Sequence, residues 1–204
     1  MDQLRLAIFA SGSGSNMQAI VDAAEAGDLD ITVGAVVSNK PDAGVLDRAR
    51  AHDIPTIVMD PRAYPDTSQY VSELLTKLEE CRINFVALAG YLKIIPPEIV
   101  ARFRGRILNI HPALLPAFGG KGYYGRRVHA AVLEHGVQWT GVTVHLVDEE
   151  YDTGPIVLQK PVRVDPDDTP ESLAARVLKT EHEIYPAALK MFTEGRARID
   201  GRRV

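Results

Sequence analysis

Short apolar runs alternate with segments of helical periodicity along this chain, and that alternation restricts the fold more than any other feature. Residues 4–10 form an apolar run ending in small side chains, the signature of a buried strand. Residues 15–26 then place Met17, Ile20, Val21 and Ala24 on one helical face. Further strands are expected at 31–37, 56–59, 85–88, 106–110, 142–147 and 156–164. Further helices are expected at 43–52, at 68–80 with Val71, Leu74, Leu75 and Leu78 in one stripe, and at 126–134 with Gly136 beyond its end. A long helical pattern at 170–192 contains Pro186, which either kinks or divides it. The order predicts an α/β fold with a mainly parallel sheet covered on both faces and right-handed crossovers. The 204 residues suffice for one domain with a real core. In such sheets ligands bind outside the carboxyl ends of the strands, so the residues that follow each strand are the candidates for chemistry.

Composition excludes several classes. A net charge of −4 argues against a nucleic-acid footprint, and Arg126-Arg127 and Arg202-Arg203 read as solvated surface. No apolar run approaches the ~20 residues that span a bilayer. No export signal is expected, because the first residues lack a basic n-region and a small-residue cleavage site. Cys81 is the single cysteine, so there is no internal disulfide and no Cys/His zinc pattern, and a reduced, cytoplasmic setting is expected.

The first strand leads into Ser11-Gly12-Ser13-Gly14-Ser15-Asn16 and then a helix. Glycines permit close backbone approach, and a helix start offers N–H groups and a positive dipole end to a phosphate. The alternative is a tight turn with Ser15 as N-cap. A dinucleotide fingerprint would need a third glycine and an acidic residue after the second strand, where Ser38-Asn39-Lys40 stands instead. Gly119-Gly120-Lys121-Gly122 is not a Walker loop. A mononucleotide phosphate fits better than NAD or ATP.

In Leu108-Asn109-Ile110-His111-Pro112 the amide and the imidazole are two apart, so an extended strand turns both to one face, and Pro112 keeps His111 extended. Asn109 is suited to donate to a developing oxyanion and His111 to shuttle protons; the alternative is a strand-end cap. A second stretch runs from Gly141-Val142-Thr143-Val144-His145 through Asp148-Glu149-Glu150-Tyr151 to Asp152-Thr153-Gly154-Pro155. Asp152 beside His111 would raise its pKa, or it makes a plain Asx turn. Asp148, Glu149 and Glu150 read as solvated. His145 is either a supporting hydrogen bonder or a structural histidine.

These four motifs, in this order and over nearly the whole chain, closely resemble the folate-dependent phosphoribosylglycinamide formyltransferases. Asn-x-His-Pro and Asp-x-Gly-Pro belong to the wider formyltransferase superfamily, and the Ser-Gly-x-Gly-Ser-Asn opening with the short length narrows the resemblance. It implies a three-layer, Rossmann-like formyltransferase fold as a single domain over residues 1–204, with the nucleotide-phosphate site in the N-terminal half and the folate and catalytic residues in the central and C-terminal part. It further implies transfer of a formyl group from 10-formyltetrahydrofolate, as co-substrate and with no metal, to the amine of 5'-phosphoribosylglycinamide in purine synthesis. Asn109, His111 and Asp152 match the catalytic set, with Asp152 keeping His111 charged. Gly14, Ser15 and Asn16 match the ribonucleotide site, and Glu181 matches the residue at the amine end. Leu92, Lys93, Ile94 and Ile95, with Asn109 and residues Asp148, Glu149, Glu150, Tyr151 and Asp152, match the folate site, and Thr143 and His145 support it. The expected partners are small molecules, with no nucleic acid or membrane, and the expected state is a monomer or homodimer.

Two departures stand out. Lys93 replaces a common arginine and loses its planar fork, and Thr67 stands near the place of another folate-contacting arginine. The 119–125 segment is either a mobile substrate loop or a surface turn. The rival readings are a formyltetrahydrofolate hydrolase, which usually carries an N-terminal regulatory domain that a first strand at Leu4 leaves no room for, and a non-catalytic nucleotide- or folate-binding module. A methionyl-tRNA formyltransferase would need a basic C-terminal domain, and this chain stops at Val204.

Overall fold

The computed structural model describes residues 3–204. The elements run β1 (Leu4–Phe9), α1 (Ser15–Glu25), β2 (Ile31–Ser38), α2 (Gly44–Ala51), β3 (Thr56–Val58), a 3-10 turn (Pro61–Ala63), α3 (Thr67–Glu80), β4 (Phe85–Leu88), α4 (Pro97–Arg102), β5 (Ile107–His111), α5 (Arg126–Glu134), β6 (Trp139–Leu146), β7 (Ile156–Arg163) and α6 (Pro170–Thr193). The seven strands form one sheet in the order β3-β2-β1-β4-β5-β6-β7. This is the mainly parallel α/β fold that the alternation predicts. By its contacts the chain divides into two compact units, one ending at Leu108 and the other starting at Asn109.

In the first unit β1 pairs in parallel with both β2 and β4, and β2 with β3. The β1–β2 register shifts by one residue at Gly34, where a Cβ would come within 2.8 Å of the Ile83 side chain. β1 is apolar because both of its sides are paired and covered: Leu6, Ala7, Ile8 and Phe9 are fully buried. Met17 and Ile20 on α1 and Leu74 on α3 are buried as completely, and each such side chain contributes roughly 1.5–3 kcal/mol by leaving water.

The second unit is built on the β6–β7 pair, which is antiparallel, with α6 packed against both strands. β6 starts three residues earlier than the apolar run suggests, because Trp139 pairs with Arg163 while staying exposed. From Thr140 to Leu146 every residue of β6 is buried. α6 is neither divided nor ended at Pro186. The missing N–H forfeits one backbone bond, and the buried Ile184, Tyr185, Ala188 and Leu189 around it hold the helix together.

Two elements escaped the periodicity argument. α4 has only six residues, too few for a stripe, although Pro97 at its first turn is a start signal. The 3-10 turn is capped by Asp60, whose carboxylate accepts from Arg62 N–H.

Candidate active site

In the first unit the glycine-rich turn is shaped by Gly14, not by a serine cap. Gly14 is the N-cap of α1, with φ 78, and Ser15 is the first helical residue, so the alternative of a turn capped by Ser15 does not hold. The left-handed conformation and the crowding explain the glycine: a Cβ there would lie 2.7 Å from the Val45 backbone. Val45 N–H in turn donates to the Gly12 carbonyl at 3.0 Å, and Arg48 Nε to the Ser13 carbonyl at 2.9 Å, so α2 fixes the turn from outside. The first ladder bond of α1 runs from Gln18 N–H to Gly14 carbonyl, which puts the start of the helix at Ser15 and Asn16.

Ser11, just before that turn, is buried and ties three chain segments together. Its hydroxyl donates to Asn39 Oδ1 and accepts from Leu92 N–H at 2.9 Å, and its own N–H donates to the Gly90 carbonyl at 3.1 Å. The segment it holds presents Leu92 and Ile94, which are 51% and 56% exposed, while Ile95 is buried and Lys93 half-buried. Two exposed aliphatic side chains on a backbone pinned by a buried hydroxyl make a firm apolar edge.

In the second unit a polar cluster gathers Asn109, His111, His145 and Asp152. β5 extends through His111, so Asn109 and His111 do share a face. His145 Nδ1–H donates to the Leu146 carbonyl at 2.8 Å, which leaves Nε2 to accept from Asn109 Nδ2 at 3.0 Å. The second hydrogen of that amide faces Asp152 Oδ1 at 3.5 Å, a long, weak contact. Asp152 Oδ1 is also 3.5 Å from His145 Nε2, and its Oδ2 is 3.5 Å from His111 Nδ1. Asp152 itself sits at φ 56, a conformation that aspartate tolerates better than most residues.

Two backbone groups complete the cluster. Phe118 carbonyl accepts from His111 Nε2 at 2.8 Å, and Gly120 N–H donates to Asp152 Oδ2 at 2.8 Å. Sequence reasoning missed both, because a main-chain donor or acceptor has no side-chain signature. The pair Gly119-Gly120 was the available signal: a Cβ on Gly119 would lie 2.4 Å from Leu115 Cδ2 and 3.4 Å from Asp152 Cβ.

Electrostatics follow from burial. Burial is the largest influence on His111 and holds its pKa below the ordinary histidine value; the Asp152 charge and the Phe118 carbonyl pull it back only partly, and His145 opposes them. Asp152 does act to raise the pKa of His111, as expected, but desolvation outweighs it, so the expectation that Asp152 keeps His111 charged is corrected. For Asp152 burial pushes upward, but the neighbouring imidazoles of His145 and His111 and the Gly120 N–H prevail, and its pKa is lowered. Burial thus favours the neutral imidazole of His111, and its neighbours favour the carboxylate of Asp152.

Thr143 lies one step behind. Its hydroxyl donates to the Ala113 carbonyl at 2.7 Å and accepts from Leu115 N–H at 3.0 Å and from Gln159 Nε2 at 2.9 Å, which fastens the chain leaving His111. Gly154 is required for a similar reason: a Cβ there would stand 1.8 Å from the Leu146 carbonyl oxygen. Asp148 folds back on its own loop, accepting from Thr153 Oγ1 at 2.8 Å and Glu150 N–H at 3.2 Å. Glu149, Glu150 and Tyr151 are exposed, and Glu181 is half-buried on α6.

The formyl transferase family profile matches residues 4–189. A chloroplastic phosphoribosylglycinamide formyltransferase of Arabidopsis thaliana is 50% identical over 194 residues, 94% of this chain; the chain spans 66% of that relative's length, just under two thirds. The phosphoribosylglycinamide formyltransferase of Haemophilus influenzae is 40% identical over 96% of this chain and 90% of its own. A glycinamide ribonucleotide transformylase 1 of Symbiobacterium toebii, solved by crystallography, superposes with a TM-score of 0.93 at 42% identity, covering 99% of this chain and 93% of that one. With nearly its whole length matched by the family profile and by relatives of similar size, the chain belongs to the formyltransferase family, among the phosphoribosylglycinamide formyltransferases.

Proposed function

We propose that this protein transfers the formyl group of 10-formyltetrahydrofolate to the amine of 5'-phosphoribosylglycinamide, a step of de novo purine synthesis, with residues 1–204 acting as one formyltransferase domain. The observation that carries the reading is the convergence of Asn109, His111 and Asp152 in one part-buried polar cluster, in a chain of this family. The formylfolate supplies an acyl carbon whose oxygen gains charge when an amine attacks it.

Asn109 has the means to stabilise that oxygen. One hydrogen of its amide is committed to His145, and the other is held only by the long contact to Asp152, so it is free to exchange to a better acceptor. A donor of this kind is worth about 3–4 kcal/mol of barrier. His111 is neutral beforehand and, as negative charge develops next to it, takes at Nδ1 the proton that Asp152 collects from the attacking amine, which leaves Asp152 ionised as counter-charge. Asp152, ionised and half-satisfied by Gly120 N–H, first accepts the proton that the attacking amine must lose, and the same proton passes to the folate nitrogen as the bond between that nitrogen and the formyl carbon breaks. Gly14, Ser15 and Asn16 take the phosphate at the start of α1. Glu181 holds the amine end of the ribonucleotide. The exposed Leu92 and Ile94 fit a flat aromatic ring, with Lys93, Ile95 and the 148–152 loop as the remaining folate contacts. A reducing compartment suits the one thiol, and among the described residues no helix is long and apolar enough to cross a membrane.

A hydrolase would use the same cluster with water as acceptor. The names of the Haemophilus and Symbiobacterium relatives favour the transferase. The test is to follow deformylated folate with and without the ribonucleotide. Release that requires the ribonucleotide supports the reading, and release that ignores it favours hydrolysis.

A further inference from the structure

The surroundings of His111 differ sharply between its two ring nitrogens. Nε2 lies 2.8 Å from the Phe118 carbonyl oxygen, an acceptor with no proton to give, so the contact requires hydrogen on Nε2. Nδ1 lies 3.5 Å from Asp152 Oδ2. A neutral imidazole has one hydrogen to place, and a carboxylate ordinarily wins it. Here the shorter bond goes to the carbonyl.

That carbonyl is delivered by a built turn. Phe118 has φ 54 and Gly120 φ 90, both left-handed. Gly119 has no room for a Cβ against Leu115, and Leu115 is itself tied through its N–H to Thr143. The Phe118 ring packs edge-on against Tyr123 and His135 at 6.4 Å and 5.3 Å between centroids. The same turn delivers Gly120 N–H to the Asp152 oxygen that faces Nδ1. That bond satisfies part of the carboxylate and reduces its claim on the imidazole hydrogen.

We infer that the 118–120 turn is a positioning element: Phe118 carbonyl keeps Nε2 of His111 protonated, so that Nδ1, beside Asp152, is the nitrogen that gains and loses the proton. A proton arriving at Nδ1 gives an imidazolium with hydrogen on both nitrogens, and its departure restores the Nε2–H form; no other bond changes. The titratable groups that act on this ring are Asp152 from the 148–152 loop, His145 from β6 and His129 from α5. The consequence for turnover rests on the proposed formyl transfer, whereas the tautomer is a property of the free protein.

The test is 15N NMR of the full-length protein labelled at its imidazole nitrogens, with His111→Asn to assign the signals. Above the titration midpoint of His111 the expected spectrum has a protonated Nε2 and a bare Nδ1. A bare Nε2, or an even mixture of tautomers, overturns the inference. Gly119→Ala, which pushes the turn off Leu115, should mix the tautomers and lower kcat roughly tenfold, with the KM of each substrate changed less than about threefold. Adding Leu115→Ala should restore both. A tenfold loss of kcat with the tautomer unchanged would break the link between turn and proton. A wild-type protein with the expected tautomer that forms no formylated product removes the proposed function and leaves this inference standing.

Discussion

Asp152 Oδ2 stands 3.5 Å from His111 Nδ1 while accepting a 2.8 Å hydrogen bond from Gly120 N–H, so the carboxylate is held in place by backbone and acts on the imidazole mainly through charge. Replacing it by the isosteric amide removes that charge and little else. Asp152→Asn should therefore move the His111 titration midpoint to lower pH, since the carboxylate is the strongest influence raising it. Turnover should fall by about 100-fold or more. NMR titration and steady-state kinetics check the two halves, and an unmoved midpoint would contradict the electrostatic account.

His111→Ala should lower kcat at least ~100-fold with the circular dichroism spectrum unchanged. Loss of the ring leaves the Phe118 carbonyl without its donor. A variant that keeps near-normal kcat removes His111 from the chemistry.

Acid should weaken the fold through buried histidines. Burial holds the pKa values of both His111 and His129 below the ordinary 6.5. Between that value and the lower folded ones, the unfolded chain binds more protons, so stability falls as pH drops through this window. The thermal midpoint should decline from about pH 7.5 to about pH 5.5. His129 Nδ1 has no hydrogen-bond partner among the described residues, so His129→Leu should flatten the decline. A slope that is unchanged in this variant would contradict the assignment.

How much of this was legible in the sequence depends on the kind of group involved. The two-residue spacing of Asn109 and His111 fixed their common face, and β5 carries it out. Asp152 was legible through its motif, although a carboxylate's partners are set by the fold. The basicity of His111 was not legible: its main influence is burial, a property of three-dimensional packing that no neighbour in sequence reports. The antiparallel course of β7 was hidden for a related reason, since an apolar run has no direction. Ser11 opens the glycine-rich motif with no role that its spacing suggests, and only the fold shows its hydroxyl turned inward to Asn39 and Leu92.

Thr143→Val should cost about 2–3 kcal/mol, because the valine matches the shape yet strands the buried Leu115 N–H and Ala113 carbonyl. Chemical denaturation reads this directly. A loss within roughly 0.5 kcal/mol, as at an ordinary surface site, would mean the hydroxyl does not fasten the segment after His111.

The most direct measurement follows the formyl carbon itself. With isotope-labelled formylfolate and the ribonucleotide, the label should appear in the ribonucleotide product, one for each folate deformylated, and His111→Ala and Asp152→Asn should both suppress it. Label released as formate at the same rate whether or not the ribonucleotide is present would contradict formyl transfer by this cluster.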